Sequence, residues 1–270
     1  MAFYKKMPEK DFLAEIELSF LRNKEHRTAG YLGLELEGHL RKSGEEFPVC
    51  RVHEVEDELC AAAPYFVHEV HGARLEILTD PHPTVREMVE QLERHLELVD
   101  RILANHGMFF TAEPIIDLPD DHLTVVYPVP RYVEKIGELG RERGRAALQV
   151  ASLQFHRGVG SWEEALAVYQ AVRDALPEIS RLGDLSNGKR HQICEVWCGA
   201  ECYMAPDLRT PHDVWEHSQR FGWTDQPKGF WSRLRINCRH GTIELRTPDA
   251  SRDIAHITRL ADAFAQVSAV

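Results

Sequence analysis

The stretch YLGLELEGHL, residues 31–40, alternates leucine with glutamate, which is typical of a β-strand with one apolar and one charged face. In that conformation Glu35 and Glu37 leave the same face, about 7 Å apart. Leu34 and Leu36 leave the opposite face. Two carboxylates at this spacing repel each other unless they face open water or hold a cation. The stretch alone leaves both interpretations open.

Two distant segments repeat the same register. In ARLEIL, Arg74 and Glu76 share a face, and in GTIELR, Glu244 and Arg246 share a face. Each segment alone fits a solvated strand, but these faces carry mainly glutamate and arginine. If the three faces converge, their carboxylates need compensating charge, which Mg²⁺ or Mn²⁺ provides through oxygen ligands. Cations with arginines beside them are typical of phosphoryl transfer, so we treat a cation-lined surface as a hypothesis.

The composition excludes several classes of protein. The chain has 270 residues, 43% apolar and 28% charged, which is ordinary for a globular protein. Its 32 Lys and Arg against 43 Asp and Glu give a net charge of −11, which is unfavourable for binding nucleic acid. No apolar run reaches the length of a membrane span, and MAFYKKMPEK lacks the apolar core of a signal peptide. We therefore expect a cytoplasmic protein that binds neither membrane nor nucleic acid.

The six cysteines do not form a recognisable zinc motif. Three of them, Cys194, Cys198 and Cys202, are spaced by four residues in HQICEVWCGAEC, along one side if this stretch is helical. Zinc sites usually contain closer pairs, and a reducing compartment disfavours disulfides. The sequence therefore predicts buried or half-buried thiols.

The order of the predicted elements favours a single domain over residues 1–270, because no repeat or low-complexity linker is visible. Predicted helices cover 85–103, 131–147, 161–176 and 253–270, and Thr79 or Asp80 is expected to cap the first of them. Predicted strands cover 31–37, 65–70, 73–79, 108–113, 122–127, 148–156, 231–238 and 241–247. Hairpin-like strand pairs between long helices indicate an α+β fold with a mainly antiparallel sheet backed by helices. A glycine-rich phosphate loop is absent from the sequence, so a nucleotide would have to be held in another way.

Four segments, YLGLELEG, HEVHGARLEILTD, QFHRGV and RINCRHGTIELRTPDA, resemble in order the motif blocks of type 2 glutamate–cysteine ligases. These are carboxylate–amine ligases of the glutamine synthetase-like superfamily, and the resemblance runs from about residue 30 to 265. It implies a curved, mainly antiparallel sheet that forms a funnel for ATP and two or three Mg²⁺ ions, with Mn²⁺ as an alternative. It also implies that a substrate carboxylate attacks the γ-phosphorus of ATP and that an amine displaces phosphate from the acyl phosphate.

The resemblance also implies roles for individual residues. The implied metal ligands are Glu35, Glu37, Glu76, Gln154 and Glu244. The implied contacts of ATP are His156, Arg235 and Arg246, with Arg246 on the transferred phosphate and Arg235 on the phosphates or the substrate carboxylate. Glu69 is implied as an acid that helps to hold a metal or the incoming amine, so the implied catalytic residues are Glu69, Arg235 and Arg246.

The sequence departs from the family pattern in three places. Gln154 stands where relatives commonly have the first histidine of His-x-His-x-Gly, although its carbonyl oxygen suits Mg²⁺. Glu113 in TAEP replaces another common histidine, which bears on the acceptor pocket. The chain also stops soon after the last predicted helix, where longer relatives continue. Arg157 is also unusual at its position, and the sequence leaves open whether it contacts a phosphate or faces solvent.

Three functions stay open at this point. The first is a ligase for a small-molecule carboxylate and an amine, either amino acids or a peptide. The second is a non-catalytic homologue that binds Mg²⁺ and nucleotide, and the third is a phosphotransferase on the same scaffold. The oligomeric state, including a homo-oligomer, is open as well. Outside the motif blocks, Lys189 and Arg190 are expected in a solvated loop, and the aromatic residues of FGWTDQPKGFW are expected to pack in a core or lid.

Overall fold

The computed structural model describes residues 7–118, 129–221 and 231–269. The predicted strand at 122–127 lies outside the described residues, as does most of the aromatic segment FGWTDQPKGFW.

The described residues form helices and strands in a mixed order. The helices are α1 (Glu9–Glu25), α2 (Val52–Ala62), α3 (Val85–Asn105), α4 (Pro130–Gln149), α5 (Trp162–Gly183), α6 (Lys189–Cys198), α7 (Ala200–Tyr203), α8 (Pro211–Phe221) and α9 (Ile254–Val267). The strands are β1 (Leu32–Lys42), β2 (Phe66–His68), β3 (Arg74–Leu78), β4 (Met108–Thr111), β5 (Leu153–Gly158), β6 (Leu234–Asn237) and β7 (Thr242–Leu245).

The strands form one open sheet in which every described pairing is antiparallel. Its order is β2-β3-β1-β5-β7-β6, and β4 pairs with the end of β1 beyond β3. β1 is the longest strand, so one of its edges has room for both β3 and β4 while the other edge pairs with β5. This arrangement confirms the predicted α+β fold with an antiparallel sheet backed by helices.

The apolar face of the sheet forms the main core against the helices. Leu34, Leu36, Ile77, Phe155 and Leu245 are each at most 1% exposed on that face. Helices α3, α5 and α9 pack against the sheet and against one another. Because side chains alternate along a strand, burying these residues leaves the charged residues between them on the opposite face.

Several element boundaries differ from the sequence prediction. Helix α3 was expected to be capped at Thr79 or Asp80, but its N-cap is Thr84, whose hydroxyl accepts a hydrogen bond from the backbone N–H of Glu87. The chain is still extended before that point, since His82 pairs with Leu32. Helix α4 continues to residue 149, so the strand predicted to begin at 148 begins at 153.

None of the described helices combines the length and the apolar character needed to span a membrane.

Candidate active site

The register of the sheet brings the predicted site residues onto one face. Glu37 lies opposite Glu76 on β3, and Glu35 lies opposite Gln154 on β5. The next pairing outward places Glu244 of β7 opposite a histidine of β5 and opposite an arginine of β6. Four far-apart segments of the sequence therefore converge through strand pairing alone.

Glu244 is completely buried and is neutralised by two arginines. Arg235 donates from Nε to Oε2 of Glu244 at 2.8 Å, and Arg246 donates to the other oxygen. Asn237 adds a third hydrogen bond, from Nδ2 at 2.6 Å. Burial by itself would raise the pKa of Glu244, but the charges of Arg235 and Arg246 outweigh it and hold the pKa well below its usual value. Glu244 is therefore ionised and fixes the two guanidinium groups.

His156 forms an ion pair with Glu35. Its Nε2 lies 3.1 Å from Oε1 of Glu35, and its Nδ1 shares a hydrogen bond with the hydroxyl of Thr242. Burial opposes charge on both groups, yet His156 lowers the pKa of Glu35, and Glu35 in turn raises the pKa of His156. The pair thus favours a carboxylate facing an imidazolium.

Burial and mutual repulsion dominate at Glu69 and Glu76. Burial, followed by repulsion from Glu35, Glu69 and Glu37, raises the pKa of Glu76 well above its usual value. Burial and the charge of Glu37 likewise raise the pKa of Glu69. Glu37 itself accepts hydrogen bonds from the backbone N–H and hydroxyl of Ser152. Burial and repulsion therefore drive Glu69 and Glu76 towards their neutral, protonated forms.

The donor chemistry of the face fits a hard divalent cation, although the ligands are not assembled around one point. Among the described residues, no three His, Cys, Asp or Glu side chains are arranged to hold an ion. Gln154 donates to Glu37 and accepts from Arg246, and Glu244 is held by arginines. Carboxylate oxygens are nevertheless the ligands that Mg²⁺ prefers, and a cation would relieve the repulsion at Glu76. The five metal-ligand roles stay predictions.

Two cavities meet at Glu35, which lines both of them. The first, about 280 Å³, is the Tyr31 cavity, lined mostly by uncharged residues that include Tyr31, Leu78 and Pro81. Sequence reasoning missed it. The alternation of side chains along the strand could have revealed this cavity, because Tyr31 and Glu35 are four residues apart and share a face. Gly33 lies between them and has no side chain to fill the space.

The second, about 200 Å³, is the acidic cavity, lined by the carboxylates of Glu37, Glu69 and Glu76 together with Arg235 and Arg246. It contains most of the predicted site.

Residues outside the four motif blocks also line the acidic cavity. Lys135 lines it from α4, and burial lowers the pKa of its ammonium group to about 8. Helix α4 is interrupted at Gly140, which has φ +74°. On another wall the ring of Trp231 lies beneath the guanidinium of Arg246, 5.2 Å from its centroid. Cation–π contact of this kind helps to hold the arginine over the cavity.

Two residues outside the motif match have roles different from those expected. Arg190 was expected in a solvated loop, but it is 2% exposed, lines the acidic cavity and pairs with Asp249. Its neighbour Lys189 is exposed. Glu113 accepts hydrogen bonds from Arg41 and lies outside the residues that line the two cavities.

The fold and this charged sheet face define an α+β domain whose open antiparallel sheet carries carboxylates and arginines on one face. The model of glutamate-cysteine ligase family 2 (GCS2) matches residues 31–182, more than half of the chain, and the chain belongs to this family. No curated protein sequence matches the chain significantly.

Three solved structures resemble the chain at low sequence identity. A bifunctional glutathione synthetase from Pasteurella multocida has a TM-score of 0.57 and 13% identity, over 98% of this chain and 41% of its own. GmaS without ligand has a TM-score of 0.48 and 14% identity, over 94% of this chain and 58% of its own. GmaS with ADP has a TM-score of 0.47 and 13% identity, over the same shares. The chain thus spans about two fifths of the glutathione synthetase, and the likeness concerns the fold alone.

Proposed function

We propose that the protein is an ATP-dependent carboxylate–amine ligase that forms an amide through an acyl phosphate. The observation that carries this proposal is the position of Glu35 between a mostly uncharged cavity and an acidic cavity that contains two arginines. A nucleoside triphosphate has matching parts, an uncharged base at one end and a charged γ-phosphate at the other. Membership of GCS2 supports the same reaction class.

The Tyr31 cavity is the proposed site of the base and ribose. Tyr31, Leu78 and Pro81 present apolar surface there, which suits the base and ribose. The phosphates would then pass Glu35 and His156 towards the acidic cavity. Both ring nitrogens of His156 have partners, Glu35 and Thr242, so His156 would donate to a phosphate oxygen only after exchanging one of them.

Arg235 and Arg246 are the proposed residues that stabilise charge on the transferred phosphoryl group. Both are fixed by Glu244, so they require little reorganisation during the reaction. Glu35, Glu37 and Glu76 would hold Mg²⁺, which supplies positive charge for the phosphate oxygens when bound. Binding of a metal by Gln154 and Glu244 requires both to exchange their present hydrogen bonds.

Glu69 is the proposed binding group for the incoming amine. It lines the acidic cavity together with Arg235 and Arg246, which would face the carboxylate undergoing phosphorylation. The carboxylate of Glu69 can bind an ammonium group and accept its proton before the amine attacks. The substrates are therefore a small carboxylic acid and a primary amine, with amino acids and short peptides as the classes to test; glutamate with cysteine is one such pair.

Oxygen-18 transfer tests the proposed reaction. A panel of acids labelled in the carboxylate is incubated with amines, ATP and Mg²⁺, and the released phosphate and the organic product are weighed by mass spectrometry. An acyl phosphate requires one labelled oxygen to leave with phosphate, because the attacking carboxylate oxygen stays bonded to phosphorus. Amide formation with unlabelled phosphate would contradict the acyl phosphate. A stable phosphorylated product would instead identify a phosphotransferase, and ATP binding without any product would identify a non-catalytic homologue.

A further inference from the structure

The ring of His240 makes no hydrogen bond within the part of the chain that the structure describes. His240 lies in the turn between β6 and β7, is exposed to solvent and lines the Tyr31 cavity. Desolvation, followed by the charge of His156, lowers the pKa of His240, whereas the charge of Glu35 raises it, so the ring lies near both of these side chains. The Tyr31 cavity therefore has a free imidazole on the side where it meets the acidic cavity.

Most of the other polar side chains in this cavity already have partners within the protein. The side chains that are engaged in this way are Asn23, Thr28, Thr79, His156 and Thr242. Among the described side chains that line the cavity, only Tyr31 and His240 keep a donor group that makes neither a hydrogen bond nor an ion pair. Tyr31 has an apolar ring that suits the base and ribose, so His240 is the side chain left for an anion.

We propose that His240 binds the phosphate chain of the nucleotide by donating from its ring to a phosphate oxygen, at the passage from the Tyr31 cavity to the acidic cavity. This assignment rests on the proposed function, which places the base and ribose in the Tyr31 cavity. A histidine ring has at least one N–H in either protonation state, so His240 can donate without giving up another contact. His156, in contrast, has to exchange Glu35 or Thr242 first.

The turn that carries His240 is attached to α1. Nδ2 of Asn23 donates to the backbone oxygen of His240 at 3.1 Å and to that of Gly241 at 2.7 Å. Gly241 has φ +62°, and a Cβ atom there would lie 2.8 Å from Nδ2 of Asn23 and 3.0 Å from the backbone of Ser19. This close packing against α1 fixes the backbone that carries the free ring.

The same turn is connected to the arginine cluster through Asn237. Oδ1 of Asn237 accepts from the backbone N–H of Arg239 at 3.1 Å and from that of His240 at 3.2 Å. Its Nδ2 donates to Glu244 at 2.6 Å, and Glu244 holds the two arginines proposed for the transferred phosphoryl group. One amide side chain therefore positions both His240 and the carboxylate behind the arginines.

Calorimetric titration with ADP and with adenosine tests this role, because the two ligands share the base and ribose and differ in the phosphates. The whole protein is used with Mg²⁺, and adenosine is measured by its competition with ADP. His240→Ala is expected to weaken binding of ADP about 10-fold or more and to leave that of adenosine within about twofold, since only a hydrogen bond to a charged group is lost. His240→Gln keeps a side-chain N–H donor and should retain part of the affinity for ADP.

Arg239→Ala is the matched control for this titration. Arg239 is the exposed neighbour in the same turn and lies outside the described lining of both cavities, so this variant should bind ADP like the wild type. Equal affinity of His240→Ala and the wild type for ADP would overturn the role of His240, as would equal losses for ADP and adenosine. A wild type that binds no ADP would instead overturn the proposed function itself.

Discussion

Arg190 donates from Nε to Oδ1 of Asp249 at 2.5 Å, and the two side chains are 3% and 0% exposed. The same guanidinium donates to the backbone carbonyls of Thr247 and Pro248, while Asp249 accepts from the backbone N–H of Ser186. Helix α6 is thereby attached to the chain that follows β7, the strand that carries Glu244. The buried pair therefore positions the segment after β7, which ends the last motif block. Arg190 influences the site by holding this segment in place.

Replacing Arg190 should destabilise the whole domain. Arg190→Met leaves the carboxylate of Asp249 buried without its partner, which costs about 3–5 kcal/mol in the free energy of unfolding. Urea denaturation measures the change, with Lys189→Met as the control because Lys189 is the exposed neighbour. Equal stability of the two variants would contradict the structural role of the pair.

The last glycine of GLELEG should not tolerate a side chain. A Cβ atom at Gly38 would lie 2.3 Å from Cζ of Phe110 and 2.4 Å from the backbone oxygen of Thr111, where β1 meets β4. Gly38→Ala is expected to lower the free energy of unfolding by about 1–3 kcal/mol or more. Gly33→Ala is the matched control in the same strand, because its Cβ would meet only ordinary contact, 3.7 Å from Cβ of His156. Thermal unfolding of both variants checks this, and a larger loss at Gly33 would contradict the packing.

His191 should make the domain less stable in acid. Burial, followed by the charges of Arg190 and Arg233, lowers its pKa to about 4. The unfolded side chain has a pKa of about 6.5, so between these values the unfolded state binds more protons and the free energy of unfolding falls as the pH falls. Above about pH 6.5 the group is neutral in both states and its contribution is constant.

The comparison of two variants isolates this effect. His191→Gln should remove about 1–2 kcal/mol of the stability lost between pH 6.5 and 4, after allowance for partial exposure. His212→Gln is the control, since His212 is exposed and its pKa is raised, by a hydrogen bond to Glu9. Urea denaturation at several pH values gives the slopes. If the free energy of unfolding of His191→Gln depended on pH as it does in the wild type, His191 would not be the group that titrates.

Glu35 should matter for metal-dependent nucleotide binding far more than for folding. Glu35→Gln keeps the size of the side chain but removes the negative charge between the two cavities, so binding of ATP with Mg²⁺ should weaken about 10–100-fold. Calorimetric titration with and without Mg²⁺ measures this, beside a thermal unfolding curve. Glu113→Gln, outside both cavities, should bind like the wild type. Equal loss in the two variants would argue against a cation at Glu35.

Strand periodicity predicted the charged face because apolar and charged residues alternate over 34–37 in β1, 74–77 in β3 and 243–245 in β7. A period of two determines which side chains share a face, and the antiparallel register then places Glu37 opposite Glu76. The order of the motif blocks identified β5, whose own residues alternate less clearly. This is why the sheet and the grouping of the predicted site residues could be inferred before any coordinates.

Other features depend on contacts between distant parts of the chain. Arg190 follows SNGK, which is typical of a loop, and its partner Asp249 lies 59 residues away. Lys135 reaches the acidic cavity only because α4 packs over it. Glu244 accepts hydrogen bonds from Arg235 and Arg246, and Gln154 accepts one from Arg246. These contacts depend on side-chain geometry, which the spacing of residues along the sequence does not encode.

The most direct test of the proposed ligase is product formation by the wild type and by Glu244→Gln in one assay. ATP, Mg²⁺ and a panel of acids and amines are supplied, and ADP and the organic product are quantified by mass spectrometry. The account predicts equal amounts of ADP and amide from at least one acid–amine pair, and a large loss of both in Glu244→Gln, because Arg235 and Arg246 lose the charge that fixes them. An exhaustive panel in which the wild type forms no more ADP or amide than Glu244→Gln would contradict it.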